Sequence, residues 1–252
     1  MDKRRIIPCL DIREGKVVKG VNFLNIREVG DPLELAKFYD TSEADELVML
    51  DIAATVEGRP VFTELVATIA KEVSLPITVG GGVRSVDDAQ SLFDSGASKV
   101  SVSSQAVAEP SLIDALATRF GTDRIVCAID VKRRGEGSWT VVTRGGSSDS
   151  GLDVFDWATE VVKRGAGEIL LTSMDTDGVR QGYDIELYRQ VGEAIDVPLI
   201  ASGGAGTMAH FEEVFTKTGV SGALGASIFH FREVEIPKLK IFLSQCGIPM
   251  RS

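Results

Sequence analysis

The sequence has few cysteines, few histidines, few aromatic residues (6%) and no long apolar run. Its three cysteines, Cys9, Cys127 and Cys246, are odd in number and far apart, so we expect neither a disulfide framework nor a metal cluster. No His/Cys/Asp group at metal-ligand spacing appears, and no metal or cofactor is expected. We assign no role to the two histidines, His210 and His230, because packing is the commoner use of an isolated histidine.

Basic residues are fewer than acidic residues in this sequence. There are 27 Lys and Arg against 37 Asp and Glu, which gives a net charge of -10 at pH 7. This balance disfavours nucleic acid or anionic lipid as the main partner, although local groups can still bind a small phosphorylated ligand. The opening Met1–Arg5 is followed by too few apolar residues for a signal peptide, and no segment is long enough to span a bilayer. We therefore expect a cytoplasmic protein that binds neither nucleic acid nor membrane.

Short runs rich in Val and Ile alternate with longer segments of helical period. The predicted strands are Ile6–Asp11, Glu46–Asp51, Ile77–Gly80, Lys99–Val102, Ile125–Asp130, Glu168–Thr172, Leu199–Ser202 and Gly222–Ala226. The predicted helices are Pro32–Ser42, Val61–Glu72, Val86–Ser95, Pro110–Phe120, Val154–Arg164, Ile185–Ala194, Met208–Thr216 and Ile236–Gln245. Eight such units without a linker predict one domain over residues 1–252, either a closed (β/α)8 barrel or an open doubly wound sheet.

An internal repeat favours the closed barrel. Leu75–Gly82 (LPITVGGG) matches Val197–Gly204 (VPLIASGG) 122 positions later. Other blocks repeat at a similar offset, including Asp11 and Asp130, which end predicted strands 1 and 5. A repeat near half the chain length predicts an α/β protein, a (β/α)8 TIM barrel built from two fused half-barrels, whereas an open sheet gives no reason for such a repeat.

Glycine-rich loops follow matching strands in both halves and predict two phosphate sites. The first contains Gly80, Gly81, Gly82, Ser103 and Ser104, and the second contains Asp177, Gly178, Ser202, Gly203, Gly204, Ala226 and Ser227. Glycine lets backbone N–H groups approach an anion closely, hydroxyls donate, and a following helix adds its dipole. One such loop is weak evidence because tight turns need glycine anyway. Two in equivalent places predict a ligand with a phosphate at each end.

Two carboxylates are expected on opposite sides of the barrel mouth. Asp11 and Asp130 end strands that lie four apart in a ring of eight, where a carboxylate can act as general acid or base. Capping of the following loop is the structural alternative. For Asp51, at the end of strand 2, a structural or helper role is as reasonable as chemistry. Lys19 lies in a hairpin-like segment that could fold over the mouth, although a loop lysine is usually solvated.

Charged residues also fall at the opposite end of the barrel. Side chains alternate along a strand, so Arg5 shares a face with Asp11 and lies at the floor, roughly 20 Å away. The same counting places Glu46, Lys99 and Glu168 at the feet of strands 2, 4 and 6. Buried unpaired charges are costly, so these groups must pair with one another or face water. A solvated rim and a gate through the barrel axis both remain open.

Four segments resemble the cyclase subunits of imidazole glycerol phosphate synthase, a family of histidine biosynthesis. They are Ile6–Gly20, Thr78–Arg84, Ala201–Gly206 and Ala226–Phe231, and the resemblance covers essentially the whole chain. It implies a lyase that forms a heterodimer with a glutamine amidotransferase subunit at the barrel floor and receives ammonia from it. The implied substrate is the bis-phosphorylated phosphoribulosyl-formimino aminoimidazole carboxamide ribonucleotide (PRFAR). The implied products are imidazole glycerol phosphate and aminoimidazole carboxamide ribonucleotide (AICAR).

The resemblance also implies roles for individual residues. Asp11 and Asp130 would be the acid/base pair, and Lys19 would lie on a mobile loop over the substrate. The phosphate ligands would be Gly82, Ser103 and Ser104 at one end and Asp177 (through its backbone), Gly178, Gly204, Ala226 and Ser227 at the other. The ammonia gate would be Arg5, Glu46, Lys99 and Glu168, which fits the floor ring derived from strand alternation.

The chain departs from the family pattern at two places. Ser103-Ser104 stands where relatives often have Asn-Thr, and Ser98 replaces a common aspartate of the docking face, which puts one intersubunit salt bridge in doubt. The closest alternative is the sister isomerase of the same pathway, which shares both aspartates and both phosphate sites but needs no ammonia. The floor ring, Cys9 in the opening motif and the closing motif Ser-Ile-Phe-His-Phe (227–231) favour the cyclase. A non-catalytic phosphosugar-binding module would give no reason for opposed aspartates.

Overall fold

The computed structural model describes residues 3–21, 24–57 and 60–251. Its strands are β1 (Arg5–Arg13), β2 (Lys16–Val21), β3 (Leu24–Gly30), β4 (Leu47–Asp51), β5 (Ile77–Gly80), β6 (Lys99–Val102), β7 (Ile125–Gly135), β8 (Ser138–Thr143), β9 (Ser148–Asp153), β10 (Glu168–Ser173), β11 (Leu199–Ser202) and β12 (Gly222–Gly225). Eight of these pair in parallel in the order β1-β4-β5-β6-β7-β10-β11-β12, and β12 pairs back with β1. The predicted closed barrel is confirmed.

Helices connect the barrel strands. They are α1 (Pro32–Thr41), α2 (Ala54–Glu57), α3 (Thr63–Ala70), α4 (Val86–Asp94), α5 (Ser104–Ala108), α6 (Ser111–Phe120), α7 (Val154–Lys163), α8 (Ile185–Ala194), α9 (Met208–Lys217), α10 (Ser227–His230) and α11 (Ile236–Gln245). Side-chain caps start several of them: Asp31 accepts from the backbone of Leu33 before α1, and Ser85 accepts from the backbone of Asp88 before α4. Such caps satisfy backbone donors that the first helical turn leaves free.

Each half-barrel carries an antiparallel ribbon on its first strand. β1 continues into β2 and β3, and β7 continues into β8 and β9. The first ribbon corresponds to the predicted hairpin-like segment after strand 1. The second was not predicted, and β7 extends five residues beyond the predicted end at Asp130. Its presence at the same place in both halves agrees with the internal repeat.

Apolar side chains form two separate clusters. The larger one lies between the strands and the surrounding helices, and the smaller one fills the barrel interior. The interior cluster contains Ile7, Cys9, Val48, Val126, Leu170, Ile200, Leu224 and Ala226. Burying a Val, Leu or Ile side chain contributes about 1.5–3 kcal/mol, so this layer stabilises the closed barrel. It also separates the mouth, at Asp11, from the floor, at Arg5. In the part of the chain that the structure describes, no helix is both long and apolar enough to cross a bilayer.

Candidate active site

A cavity opens at the carboxyl ends of the barrel strands. It brings together most residues of the predicted site: Asp11, Lys19, Ser103, Ser104, Asp130, Asp177, Gly178, Gly204, Ala226 and Ser227. Gly82 lies just outside this mouth cavity, in an adjoining side chamber that shares Ser103 and Ser104 with it. Because β1 and β7 are four strands apart in the closed ring, Asp11 and Asp130 enter the cavity from opposite walls.

Lys19 reaches into the cavity from β2. Its Nζ lies 3.0 Å from Oδ2 of Asp11 and 3.5 Å from Oδ2 of Asp177. Burial alone would lower the pKa of Lys19, but the two carboxylates raise it above its ordinary value. The lysine is therefore not the solvated loop residue of the simpler interpretation. On the other side of Asp11, the thiol of Cys9 lies 3.7 Å from Oδ1. Burial is the main cause, and the negative charge of Asp11 the second, that raise the pKa of this thiol well above its usual range.

Asp130 has a different electrostatic environment. The residue keeps some exposure to the mouth. Loss of hydration is the main cause, and the negative charge of Asp177 the second, that raise its pKa to about 7. A hydrogen bond from Thr172, its partner across β7 and β10, opposes this shift, and the charge of Asp11 adds to it. Asp11 thus faces an ammonium group, whereas the charged neighbours of Asp130 are carboxylates. Two carboxylates in unlike environments suit opposite proton-transfer roles.

The two predicted phosphate cradles have matching backbone geometry. Gly81 and Gly203 both have φ of +93°, and a Cβ on either would lie within 2.6 Å of a backbone oxygen. These two glycines are therefore required by close backbone packing as well as by any anion. Ser103 and Ala226, at the starts of α5 and α10, share an unusual backbone conformation with ψ of −99° and −85°. Both ends of the mouth are consequently built in the same way.

Other residues singled out in the sequence have structural contacts. Asp51 is buried and its Oδ1 accepts from the backbone of Ala54 at 2.9 Å, which caps α2 and agrees with a structural role. Buried His230 shares a hydrogen bond with Tyr39, 2.5 Å from its Nδ1, and burial lowers its pKa to about 4. His210 accepts from the backbone of Gly206. Over the described ranges, no group of three or more His, Cys, Asp or Glu side chains could hold a metal ion.

Sequence reasoning missed three contributors to the mouth. The side chain of Asp177 contacts Lys19, although only its backbone was predicted to take part. Thr172 was predicted only as a strand end, although its alignment with Asp130 follows from parallel pairing. Arg144 lines the mouth from the turn between β8 and β9. An alternating segment followed by Arg-Gly-Gly was the available signal for this second ribbon.

The four charged residues at the floor form a closed ring. Arg5 lies 2.7 Å from Glu46 and 2.5 Å from Glu168, and Lys99 lies 2.7 Å from Glu168 and 3.5 Å from Glu46. Each of the two cations thus forms ion pairs with both Glu46 and Glu168. Burial alone would raise the pKa of Glu46, but Arg5 and Lys99 lower it below its ordinary value. The side chains pair with one another across the barrel axis, which disfavours a freely solvated rim.

Two further residues contact this ring. Arg5 donates to Oγ of Ser221 at 2.8 Å, and Arg251 lies 3.4 Å from Glu46. The backbone of Arg251 in turn donates to the carbonyl of Arg4. The C-terminal segment therefore packs against the outer side of the floor.

Comparisons with a family model and with individual known proteins both find similarity to this chain. The family model described as histidine biosynthesis protein matches residues 5–235. The imidazole glycerol phosphate synthase subunit HisF of Wolinella succinogenes is 52% identical over 249 residues, which cover 98% of each chain.

Proposed function

Because the chain belongs to the histidine biosynthesis protein family and is an enzyme of that pathway, we propose that it converts PRFAR and ammonia into imidazole glycerol phosphate and AICAR. In this proposal it is the cyclase subunit of imidazole glycerol phosphate synthase. Similarity over nearly the full length of a HisF subunit supports this activity over that of the sister isomerase.

One observation carries the proposal. A single cavity joins carboxylates from opposite walls with glycine–hydroxyl loops from both half-barrels. Each charge-assisted hydrogen bond to a phosphate contributes roughly 1.5–3 kcal/mol, so two cradles would anchor a ligand that carries a phosphate at each end. The carboxylates would then face the middle of that ligand, where the carbon–nitrogen bonds form and break.

The reaction moves protons at three places. The nitrogen of ammonia loses protons as it forms its new bonds, the ketone oxygen that it replaces is protonated and leaves as water, and the nitrogen that leaves with AICAR gains a proton. Asp130, with a pKa of about 7, is available in its protonated form near neutral pH and would deliver a proton to the leaving nitrogen. Asp11, paired with Lys19, would take the opposite role of base.

Ammonia would enter from the floor. The ring of Arg5, Glu46, Lys99 and Glu168 is the proposed gate, and a glutamine amidotransferase subunit docked outside it would form the heterodimer. Above the gate, the apolar interior favours neutral ammonia over charged ammonium, because an unpaired ion is strongly disfavoured there.

Phosphate esters are charged and do not cross a bilayer, so the proposed location is the cytoplasm.

The test is product formation by the purified chain from PRFAR with an ammonium salt and no partner, followed by chromatography. We expect imidazole glycerol phosphate and AICAR in equal amounts. Conversion of the aminoaldose precursor of PRFAR without ammonia would instead establish the isomerase. Binding of PRFAR without turnover would leave only a phosphosugar-binding module.

A further inference from the structure

Arg144 occupies the turn between β8 and β9, above the first phosphate cradle. Its φ of +53° lies in the left-handed region that a non-glycine residue rarely adopts. Its backbone N–H donates to Oγ of Ser104 at 3.0 Å, and Lys132 holds the same turn through the carbonyl of Gly146. Gly146 packs so closely on Met174 that a Cβ there would lie 2.3 Å from the methionine side chain. The turn is therefore fixed at three points, one of which is Ser104 of the cradle.

Arg144 and Arg84 differ from many other arginines of the chain in having no carboxylate partner in the described structure. Arg144 lines both the mouth cavity and the side chamber, and Arg84 lines the chamber too. Neither guanidinium has a carboxylate partner among residues 3–21, 24–57 and 60–251. In contrast, Arg133, Arg134 and many other arginines of this acidic chain form ion pairs. No Asp or Glu belongs to the described lining of the side chamber, which also contains Gly82, Ser103 and Ser104. The described lining of the chamber is consequently positive, with no acidic side chain to neutralise it.

The first and second phosphate cradles, at the two ends of the mouth, differ in the charge of the side chains around them. Among the described residues of the mouth lining, Lys19 is the other cation, and it is already engaged by Asp11 and Asp177. Asp177 lies beside the second cradle and adds negative charge there, whereas the first cradle has Arg144 above it. A planar guanidinium can bind two phosphate oxygens at once, which makes it well suited to a terminal phosphate.

We propose that Arg144, with Arg84 of the same side chamber, binds the phosphate held by Gly82, Ser103 and Ser104 and makes this end the stronger phosphate site. The inference rests on the proposed function in assuming a ligand with two phosphates. It assigns Arg144 to binding and orientation of the substrate, and the proton transfers stay with the carboxylates.

The test compares Arg144→Ala and Arg144→Lys with the parent. Alanine and arginine meet the same restriction at positive φ, so the alanine variant isolates the loss of the guanidinium. Arg134→Ala is the matched control, because Arg134 belongs to the same ribbon, is exposed and pairs with Asp149 away from the cavity. We expect Arg144→Ala to raise KM for PRFAR about 10- to 100-fold with little change in kcat. Lysine should restore part of the loss, and Arg134→Ala should behave like the parent.

Calorimetric titration with inorganic phosphate separates this inference from the proposed function. The parent should bind phosphate about tenfold or more tightly than Arg144→Ala, because the variant keeps only the neutral donors of the cradle. Loss of phosphate affinity in a chain that does not turn over PRFAR would support the inference and refute the proposed function. Turnover with the same KM and the same phosphate affinity in the parent and Arg144→Ala would overturn the inference.

Discussion

Arg5 and Glu168 come from different halves of the chain, and their side chains meet 2.5 Å apart on the barrel axis. Glu46, which lies 122 positions before Glu168, occupies the equivalent place in the first half and binds the same guanidinium. The duplicated halves thus share one cation at the floor. This relationship makes Arg5 important for stability and links the floor ring to the proposed gate.

Removal of Arg5 should destabilise the protein strongly. Arg5→Ala leaves Glu46 and Glu168 buried with Lys99 as their remaining partner inside the ring, and breaking a buried pair typically costs about 3–5 kcal/mol. Urea denaturation measures the loss. Arg134→Ala, which breaks an exposed pair, should lose less than about 1 kcal/mol. Equal losses in the two variants would show that the ring contributes little to folding.

Lys99→Ala should affect ammonia that arrives through the barrel more than ammonia from solution. Lys99 lies on the proposed path from the floor, 2.7 Å from Glu168, but far from the mouth. Turnover of the complex is measured with glutamine and, separately, with an ammonium salt. Lys217→Ala, at an exposed i,i+4 pair, is the control. An equal change with both nitrogen sources would count against a gate.

Replacement of either opposed aspartate should abolish most of the chemistry and leave binding nearly intact. General acid or base catalysis typically contributes about 10²–10⁴-fold, and we expect kcat with ammonium to fall by that range in Asp11→Asn and in Asp130→Asn. KM should stay close to that of the parent because the phosphates carry the binding. Asp94→Asn, on the exposed face of α4, is the control. Parent-like turnover in either active-site variant would remove that residue from the acid/base pair.

The raised pKa of Asp130 should appear in the pH dependence of stability. A carboxyl with a pKa of about 7 in the folded protein and 3.8 unfolded contributes stability in full below about pH 3.8. This contribution is lost as the pH rises through about 7. Asp130→Asn keeps a neutral group at every pH, so its Tm should rise relative to the parent between pH 5 and 7 and level off above pH 8. Each kcal/mol shifts Tm by about 2–4 °C in a chain of this size. A Tm difference that does not change with pH would contradict the shifted pKa.

The glycines of the cradles should tolerate alanine poorly. At Gly81 a Cβ would lie 2.3 Å from the carbonyl oxygen of Asp51, and φ is +93°. Gly15 is a matched control, because its φ is +74° but the space around it is open. Gly15→Ala should cost about 1–2 kcal/mol from backbone conformation alone, and Gly81→Ala about 2–5 kcal/mol once the clash is added. Denaturation midpoints compare the two, and equal costs would mean that Asp51 moves aside easily.

Local patterns predicted the barrel elements closely. The bounds of β5, β6, β11, α8 and α11 agree with the sequence prediction to the residue, because Val- and Ile-rich runs and helical periods are local properties. The repeat at 122 positions predicted closure, since two equivalent halves must meet at both edges. The ends of β1 and β7 were harder, because their last residues are held by ribbon partners rather than by the barrel.

The placement of site residues was partly predictable. Parallel strands end on one side of a barrel, so Asp11 and Asp130 could be assigned to the mouth from the sequence. Strand alternation likewise identified Arg5, Glu46, Lys99 and Glu168 as floor residues. The ion pair of Lys19 with Asp177 was not predicted, because it depends on how a ribbon from one half folds over a loop from the other.

The sequence by itself determined the family, the order of strands and helices, and the residue types at the mouth and the floor, because these follow from local period and internal repetition. Only the tertiary structure decided which charges neutralise one another and which do not. Asp130 has a raised pKa and Arg144 has no carboxylate partner in the described part of the chain because of what surrounds each of them in space. Burial and charge distance are properties of the folded chain, and no spacing along the sequence specifies them.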